Sequence, residues 1–356
     1  MRRRDDNRRM TTLARRDDRE LAAGFTTWCA HRWPEASHDV VELIRPNSGW
    51  ANETLLVTTR SRTRTVQRLV VRLPPTLATW PSYDLAAQAR VLDALEPSNV
   101  PVPRVVALED DPHWLGAPFL VMSHEPGRAG AEVPAFDPWL AEAPVEEQRR
   151  LHEAFVTMLA SIHRFDWRAA ELERVLRTSE KSLAGEIGWW SEYIAWAADG
   201  VPTPALADAI AWCATTAPVP RAAASLCWGD PRIGNVLFAD DRSITAVLDW
   251  ELATIGPAEM DLAWYLALDD LMTFFTKRTV AGFLDRTELI AVYEQALGRE
   301  VHDLAWHEIF ALTRSVAINE RQARLAATTG IAYPGVAGPD NPVLGHLTRK
   351  IAELDG

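Results

Sequence analysis

Lysine is nearly missing from this chain. Lys181, Lys277 and Lys350 are the only three in 356 residues, and the other 34 of the 37 basic residues are arginines. None lies in the first half, which excludes a Walker-type phosphate lysine or a Schiff-base lysine there. Cysteine is scarce too. Cys29, Cys213 and Cys227 are odd in number and widely spaced, with no C-x-x-C, so neither a disulfide framework nor a thiolate zinc site is indicated. A reducing cytoplasm is the expected home. No apolar run reaches the ~18 residues of a membrane span, so no membrane insertion is expected. The segment from Arg2 to Glu20 has no apolar core and is not a secretory signal. Positive charge is in deficit: the net charge is −12 and the pI about 5.3. That argues against a general nucleic-acid binder, and oligomeric state leaves no signal.

What is present reads as a globular chain. Hydrophobic residues make up 47% and charged residues 24%, both ordinary for a packed domain. The length predicts two lobes. Residues 1–20 form a charged arm with eight arginines, four aspartates and one glutamate, expected to be flexible and solvated. Residues 21–124 open with a helix through Leu21, Phe25, Trp28 and Cys29, then alternate as short strands broken by Asn47 to Asn52 and Ser61 to Thr63. One further helix, Tyr83 to Leu95, and two more strands complete a β-rich N-lobe. Residues 125–356 change to helical spacing, interrupted by a hairpin with strands at Asn235–Ala239 and Ile244–Asp249. The fold class expected is α+β.

The chemistry sits around that hairpin. The run Leu226 to Leu237 reads LCWGDPRIGNVL, and Asp249 follows Asn235 across the hairpin. Phosphoryl transfer needs a carboxylate to orient a hydroxyl and take its proton. It also needs oxygen ligands for Mg²⁺ and charge stabilisation of the moving group. Asp230, Asn235 and Asp249 are those residue types. Arg232, two past Asp230, is placed to meet phosphoryl oxygens. Singly, a Gly-Asp-Pro aspartate or an asparagine before a strand is an ordinary turn residue. The combination at this spacing points to a site.

The segment resembles the aminoglycoside phosphotransferase and choline-kinase-like superfamily, in the branch similar to kinase domains found beside acyl-CoA dehydrogenases. The family pattern is His-Gly-Asp, four residues, Asn, then a hairpin ending in Asp. Gly256 to Ala263 and Gly116 to Met122 extend the likeness, which covers about Asp39 to Leu354. The resemblance implies a protein-kinase-like bilobal fold, ATP (or GTP) as co-substrate, Mg²⁺, and a small-molecule hydroxyl as acceptor. By position it makes Asp230 the base and Asn235 and Asp249 the metal ligands. It also puts the nucleotide base against Met122 to Glu125, Ser123 and His124 included, with phosphates near Ser48, Gly49, Asn52 and Arg72. Asp261 would brace the catalytic loop, unless it serves only as a helix cap.

Several residues depart from the pattern. Trp228 replaces the family's His; an indole packs there and donates one hydrogen bond. Arg72 stands where kinases place a lysine and keeps a permanent, forked charge. Gln88 stands where the partner Glu is expected, and Asp84 lies one turn earlier. Arg314, Arg321 and Arg324 on a late helix favour an anionic or acyl acceptor over an aminoglycoside. Trp189, Trp190, Trp196 and Trp212 read as helix packing, and His163 as structural. The competing reading is a non-catalytic nucleotide-binding pseudokinase, motivated by Trp228, Arg72 and Gln88.

Overall fold

The computed structural model describes residues 16–35, 38–46, 52–176, 181–329 and 338–355. They fall into two compact units. The first is drawn from residues 1–89, 104–124 and 318–337, the second from 90–103, 125–317 and 338–356.

The first unit starts with helix α1 (Asp18–Arg32). Asp17 caps it, its carboxylate accepting from the N–H groups of Arg19 and Glu20 at 2.9 and 3.1 Å. Strands β1 (His38–Ile44), β2 (Glu53–Ser61) and β3 (Val66–Leu73) follow, and α2 (Leu85–Leu95), which contributes its residues up to Ala89 to this unit, is succeeded by β4 (Val105–Glu109) and β5 (Phe119–Ser123). These five strands form one antiparallel sheet in the order β1-β2-β3-β5-β4. Alternation sets its buried face: Leu55 and Val57 on β2, Leu69 and Val71 on β3, Phe119 and Val121 on β5. Leu21, Phe25, Trp28 and Cys29 of α1, one helical face by their spacing, share that core. The Trp28 indole N–H is not wasted in it, donating to Glu109 at 2.9 Å. Glu53, buried at the start of β2, is paired with both Arg16 and Arg45. The described residues therefore include Arg16 to Glu20 of the arginine-rich arm; residues 1–15 lie outside them.

The second unit contains α3 (Pro138–Ala141), α4 (Val145–His163), α5 (Leu183–Ala197), α6 (Pro204–Thr216), α7 (Glu259–Thr276), α8 (Arg286–Leu297) and α10 (Pro342–Asp355). Helix α9 (Leu304–Thr329) contributes its residues up to Ala317. Each start has a local cause where a cap is formed: Asp137 for α3, Ser182 for α5, and a full capping box of Asp285 with Glu288 for α8. Two small ladders hold the segment around Asp230. Strands β7 (Ser225–Cys227) and β10 (Thr254–Gly256) pair antiparallel, and β6 (Arg128–Ala129), β8 (Val236–Phe238) and β9 (Ile244–Val247) form a three-stranded sheet in the order β6-β8-β9.

The hairpin is shorter than the sequence predicts. Residues Ile233–Asn235 form a tight 3-10 turn before β8, and Asp249 turns left-handed at φ 62° after β9. Strands β6, β7 and β10 have two or three residues each, too few for a period of two to register, so they were not legible in sequence.

Candidate active site

Strand β7 delivers the chain to Trp228 and Gly229, and helix α7 supplies the acceptor that holds them. Asp261 accepts the Trp228 N–H at 2.6 Å on one carboxylate oxygen and the Gly229 N–H at 3.1 Å on the other. His163 approaches the same carboxylate through Nε2 at 3.1 Å, and its Nδ1 lies 2.5 Å from the Tyr293 hydroxyl. All four side chains are buried. Asp261 is thus a brace within α7, whose cap position is Ala258. Among the described residues His163, Cys227 and Asp261 also form the one cluster with metal-ligand spacing. Its polar atoms are already engaged by the protein: Asp261 accepts the Trp228 and Gly229 N–H groups, His163 meets Asp261 and Tyr293, and the Cys227 thiol lies near the Gly256 and Pro257 carbonyls.

Gly229 adopts φ 93°, and a Cβ there would stand 2.2 Å from the Leu252 carbonyl oxygen. Both facts require glycine. Its own carbonyl accepts from Arg314 Nη2 at 2.8 Å. Arg314 is 1% exposed, with its guanidinium 4.5 Å from the Trp264 ring centroid and 4.9 Å from that of Trp190. Arg314, one of the late-helix arginines read as favouring an anionic or acyl acceptor, is instead a buried strut under the loop of residues 228–230. Arg321, also on α9, donates through Nε and Nη2 to the Ala78 carbonyl at 3.0 and 2.9 Å.

Trp228 is fully buried, and its indole N–H reaches the carbonyls of Leu248 at 2.8 Å and Asp249 at 3.2 Å. The Leu248 N–H in turn donates to the Asn235 carbonyl at 2.8 Å. The residue standing at the family's histidine position therefore ties the catalytic loop to the chain that carries Asp249.

Asp230 lies at the centre. Its Oδ2 accepts from Asn235 Nδ2 at 2.8 Å and from Arg232 Nε at 2.9 Å, and its Oδ1 accepts from Trp264 Nε1 at 2.9 Å. A carboxylate offers about four lone-pair sites. Three are taken, and the remaining one is on Oδ1. Asn235 spends its amide N–H groups on Asp230, with a second bond to the Asp230 carbonyl at 3.1 Å, and neither bond uses its amide oxygen. Arg232 is also paired with Glu132. Burial works against the Arg232 charge, but the carboxylates of Asp230, Glu132 and Asp249 outweigh it and hold the guanidinium above its ordinary pKa.

The structure thus gathers Asp230, Arg232 and Asn235 by direct hydrogen bonds and sets the Asp249 backbone beside them. Ser48 and Gly49 fall outside the described residues. Asn52, Arg72, Gln88, Ser123 and His124 belong to the first unit. Arg72 is half-buried on β3, paired with Thr54 of β2 and Leu120 of β5. Gln88 is buried on α2, and Asp84 is the exposed cap of that helix, accepting the Ala87 N–H at 2.8 Å. Ser123 closes the β4–β5 edge, its hydroxyl accepting the Arg104 N–H at 2.8 Å.

Sequence reasoning missed Trp264 and Glu132. Trp264 had a signal: it follows Asp261 by three, one helical turn on the same face. Glu132 had none, because it meets Arg232 only through the pairing of β6 with β8.

The comparisons with known proteins fit this arrangement. Residues 42–309 match the model of the phosphotransferase enzyme family, and the chain belongs to that family. An Arabidopsis thaliana protein named probable acyl-CoA dehydrogenase IBR3 is 28% identical over 290 residues, 76% of this chain and 34% of that one. The chain spans about a third or less of the length of such relatives, down to 20% of mouse acyl-CoA dehydrogenase family member 10. Among solved structures, a Ralstonia eutropha chain provisionally named an aminoglycoside phosphotransferase aligns with TM-score 0.68 at 20% identity, covering 93% of this chain and 98% of that one. The aminoglycoside phosphotransferase APH(4)-Ia, solved with ADP and hygromycin B, aligns with TM-score 0.53 at 13% identity, covering 93% and 99%. The fold is the kinase-like fold of these phosphotransferases, with a β-rich N-terminal unit and a mainly helical second unit.

Proposed function

We propose that this protein transfers the γ-phosphoryl group of ATP or GTP to a hydroxyl of a small molecule, with Asp230 as the base. The observation that carries the reading is the hydrogen-bond inventory of Asp230. Three donors, from Trp264, Asn235 and Arg232, fix the carboxylate, and the one open lone pair lies on Oδ1. An acceptor hydroxyl donating there is aligned by the carboxylate. As its oxygen bonds to the γ-phosphorus, its proton passes to Asp230 and the bond to the bridging oxygen breaks, releasing the nucleoside diphosphate. Asn235, through its amide oxygen, and Asp249 would hold Mg²⁺, since both offer the hard oxygen donors that ion prefers. Bound there, the ion would neutralise phosphate charge. Arg232 brings a fixed positive charge within two residues of the base, suited to phosphoryl oxygens. In the first unit, Arg72 on β3 would grip the other phosphates in place of a lysine, with Gln88 as its neutral partner.

The test is consumption of Mg²⁺–ATP and Mg²⁺–GTP against a panel of sugars, aminoglycosides and hydroxyacyl compounds. Asp230→Ala is expected to lower transfer by about 10²–10⁴-fold, the range for loss of a positioned base, while nucleotide binding by calorimetry stays unchanged. Full activity in that variant would end the assignment of Asp230. Nucleotide binding without transfer to any acceptor would favour the pseudokinase reading.

A further inference from the structure

An arginine beside a carboxylate normally forks onto both oxygens, because the paired N–H groups of the guanidinium match the carboxylate's geometry. Arg232 does not. It gives Asp230 a single bond, Nε to Oδ2 at 2.9 Å, and turns Nη1 to Glu132. Glu132 is held in reach by the backbone rather than by chance. Strand β6 pairs Arg128 with Phe238 and Ala129 with Leu237, and the Gly130 N–H donates to the Val236 carbonyl at 3.1 Å. Gly130 lies so close to the catalytic turn that a Cβ there would stand 2.4 Å from the Ile233 carbonyl oxygen. At Gly234 an added Cβ would come within 3.5 Å of the Glu132 carboxyl group itself. The segment after β6 is thus built against the turn between Arg232 and Asn235. The Glu132 side chain remains 56% exposed and that of Arg232 32% exposed, so both face the open side of the site.

We propose that Glu132 is a positioning residue that pulls the Arg232 guanidinium sideways and so keeps Asp230 Oδ1 open for the acceptor hydroxyl. Without it, the guanidinium has one strong partner left and swings to fork onto Asp230. Nη then competes for the only lone pair the base has free, and Arg232 also turns away from the direction of an incoming phosphoryl group. The role assigned to Asp230 rests on the proposed phosphotransferase activity; the geometric claim about Arg232 does not.

Two measurements separate these claims. The first is a crystal structure of the Glu132→Gln variant. Arg232 forked on both Asp230 oxygens is the expected result, and a guanidinium left in place overturns the proposal whether or not the enzyme turns over. The second is a double-mutant cycle, with Mg²⁺–ATP hydrolysis to water as the probe reaction. Glu132→Gln is expected to lower kcat about tenfold, part of the 10²–10⁴ that a general base supplies, with KM for ATP changed less than twofold. Arg232→Ala combined with Glu132→Gln should be no slower than Arg232→Ala alone, since Glu132 acts only through Arg232. Additive losses would mean that Glu132 acts on its own, and would sink the idea. A wild-type enzyme without any turnover would count against the phosphotransferase reading, while the crystal structure would still decide the placement of Arg232.

Discussion

Asp249 holds a left-handed backbone, φ 62°, which costs a residue with a Cβ about 1–2 kcal/mol. A turn residue kept only for its backbone would be glycine there. Asp249→Gly removes the strain, adds about 0.5–1 kcal/mol of chain entropy and deletes a carboxylate that acts on the Arg232 charge, so unfolding in denaturant should shift by no more than about 2 kcal/mol. Phosphoryl transfer should nevertheless vanish. A large loss of stability with activity retained would assign the carboxylate to structure rather than to Mg²⁺. At this scale much of the site was legible. Asp230, Asn235 and Asp249 lie within 20 residues of one another, and a hairpin recognisable from its turn folds them together. Trp264 was not read although its spacing from Asp261 marked it, and Glu132 could not be read, because it reaches the centre through a strand pairing that the local sequence does not encode.

The loop of residues 228–230 is held as an element from three directions: Asp261 below its N–H groups, Arg314 on the Gly229 carbonyl, and the Trp228 indole across to Leu248 and Asp249. Gly229→Ala forces a Cβ against the Leu252 carbonyl and a left-handed φ on alanine. It is expected to cost at least about 2 kcal/mol, visible as a lower denaturant midpoint. Arg314→Met keeps much of the packing between Trp190 and Trp264 but deletes the bond to Gly229, for an expected cost of about 1.5–3 kcal/mol. Unchanged thermal stability in Arg314→Met would show that the buried arginine is not the strut described. The late-helix arginines were read from sequence as acceptor-facing because helix periodicity locates a face but not what covers it. Arg314 proved to face the loop's own backbone.

For the molecule as a whole, two buried histidines set a pH dependence. Burial, with the Arg149 charge adding, pushes His152 down to about 3. For His307 burial outweighs the nearby Glu259 and Asp303 and lowers it to about 4. His152 is satisfied as the neutral ring, its Nδ1 accepting the Leu284 N–H at 2.9 Å and its Nε2 lying 2.8 Å from the Tyr265 hydroxyl. Both folded values lie below the ordinary ~6.5 of an unfolded chain. The unfolded state therefore binds protons that the folded state refuses as pH falls through that range. The stabilisation is whole above about pH 6.5 and is lost progressively toward pH 3–4, on the order of 3–5 kcal/mol for each histidine. Thermal melts should be flat near neutrality and fall steeply below pH 6. His307→Leu should reduce the acid slope by about one proton; an unchanged slope would show that His307 is protonated in the folded state.

The sequence by itself determined the family, the α+β class and most of the element boundaries. Those features are local: helical spacing with caps such as Asp17 and Asp285, alternation along β2 and β3, and a short catalytic motif in which every residue type answers a chemical need. The lysine shortage also told in advance that any cation in the N-terminal unit serving phosphates must be an arginine, and Arg72 occupies the central strand of that sheet. Only the tertiary structure decided which groups surround Asp230 and hold its loop. Trp264, Arg314 and His163 arrive from three different helices and Glu132 from the loop after β6. Their roles depend on distances set by packing, and such contacts leave little trace in the spacing of residues that lie 34 to 100 positions apart.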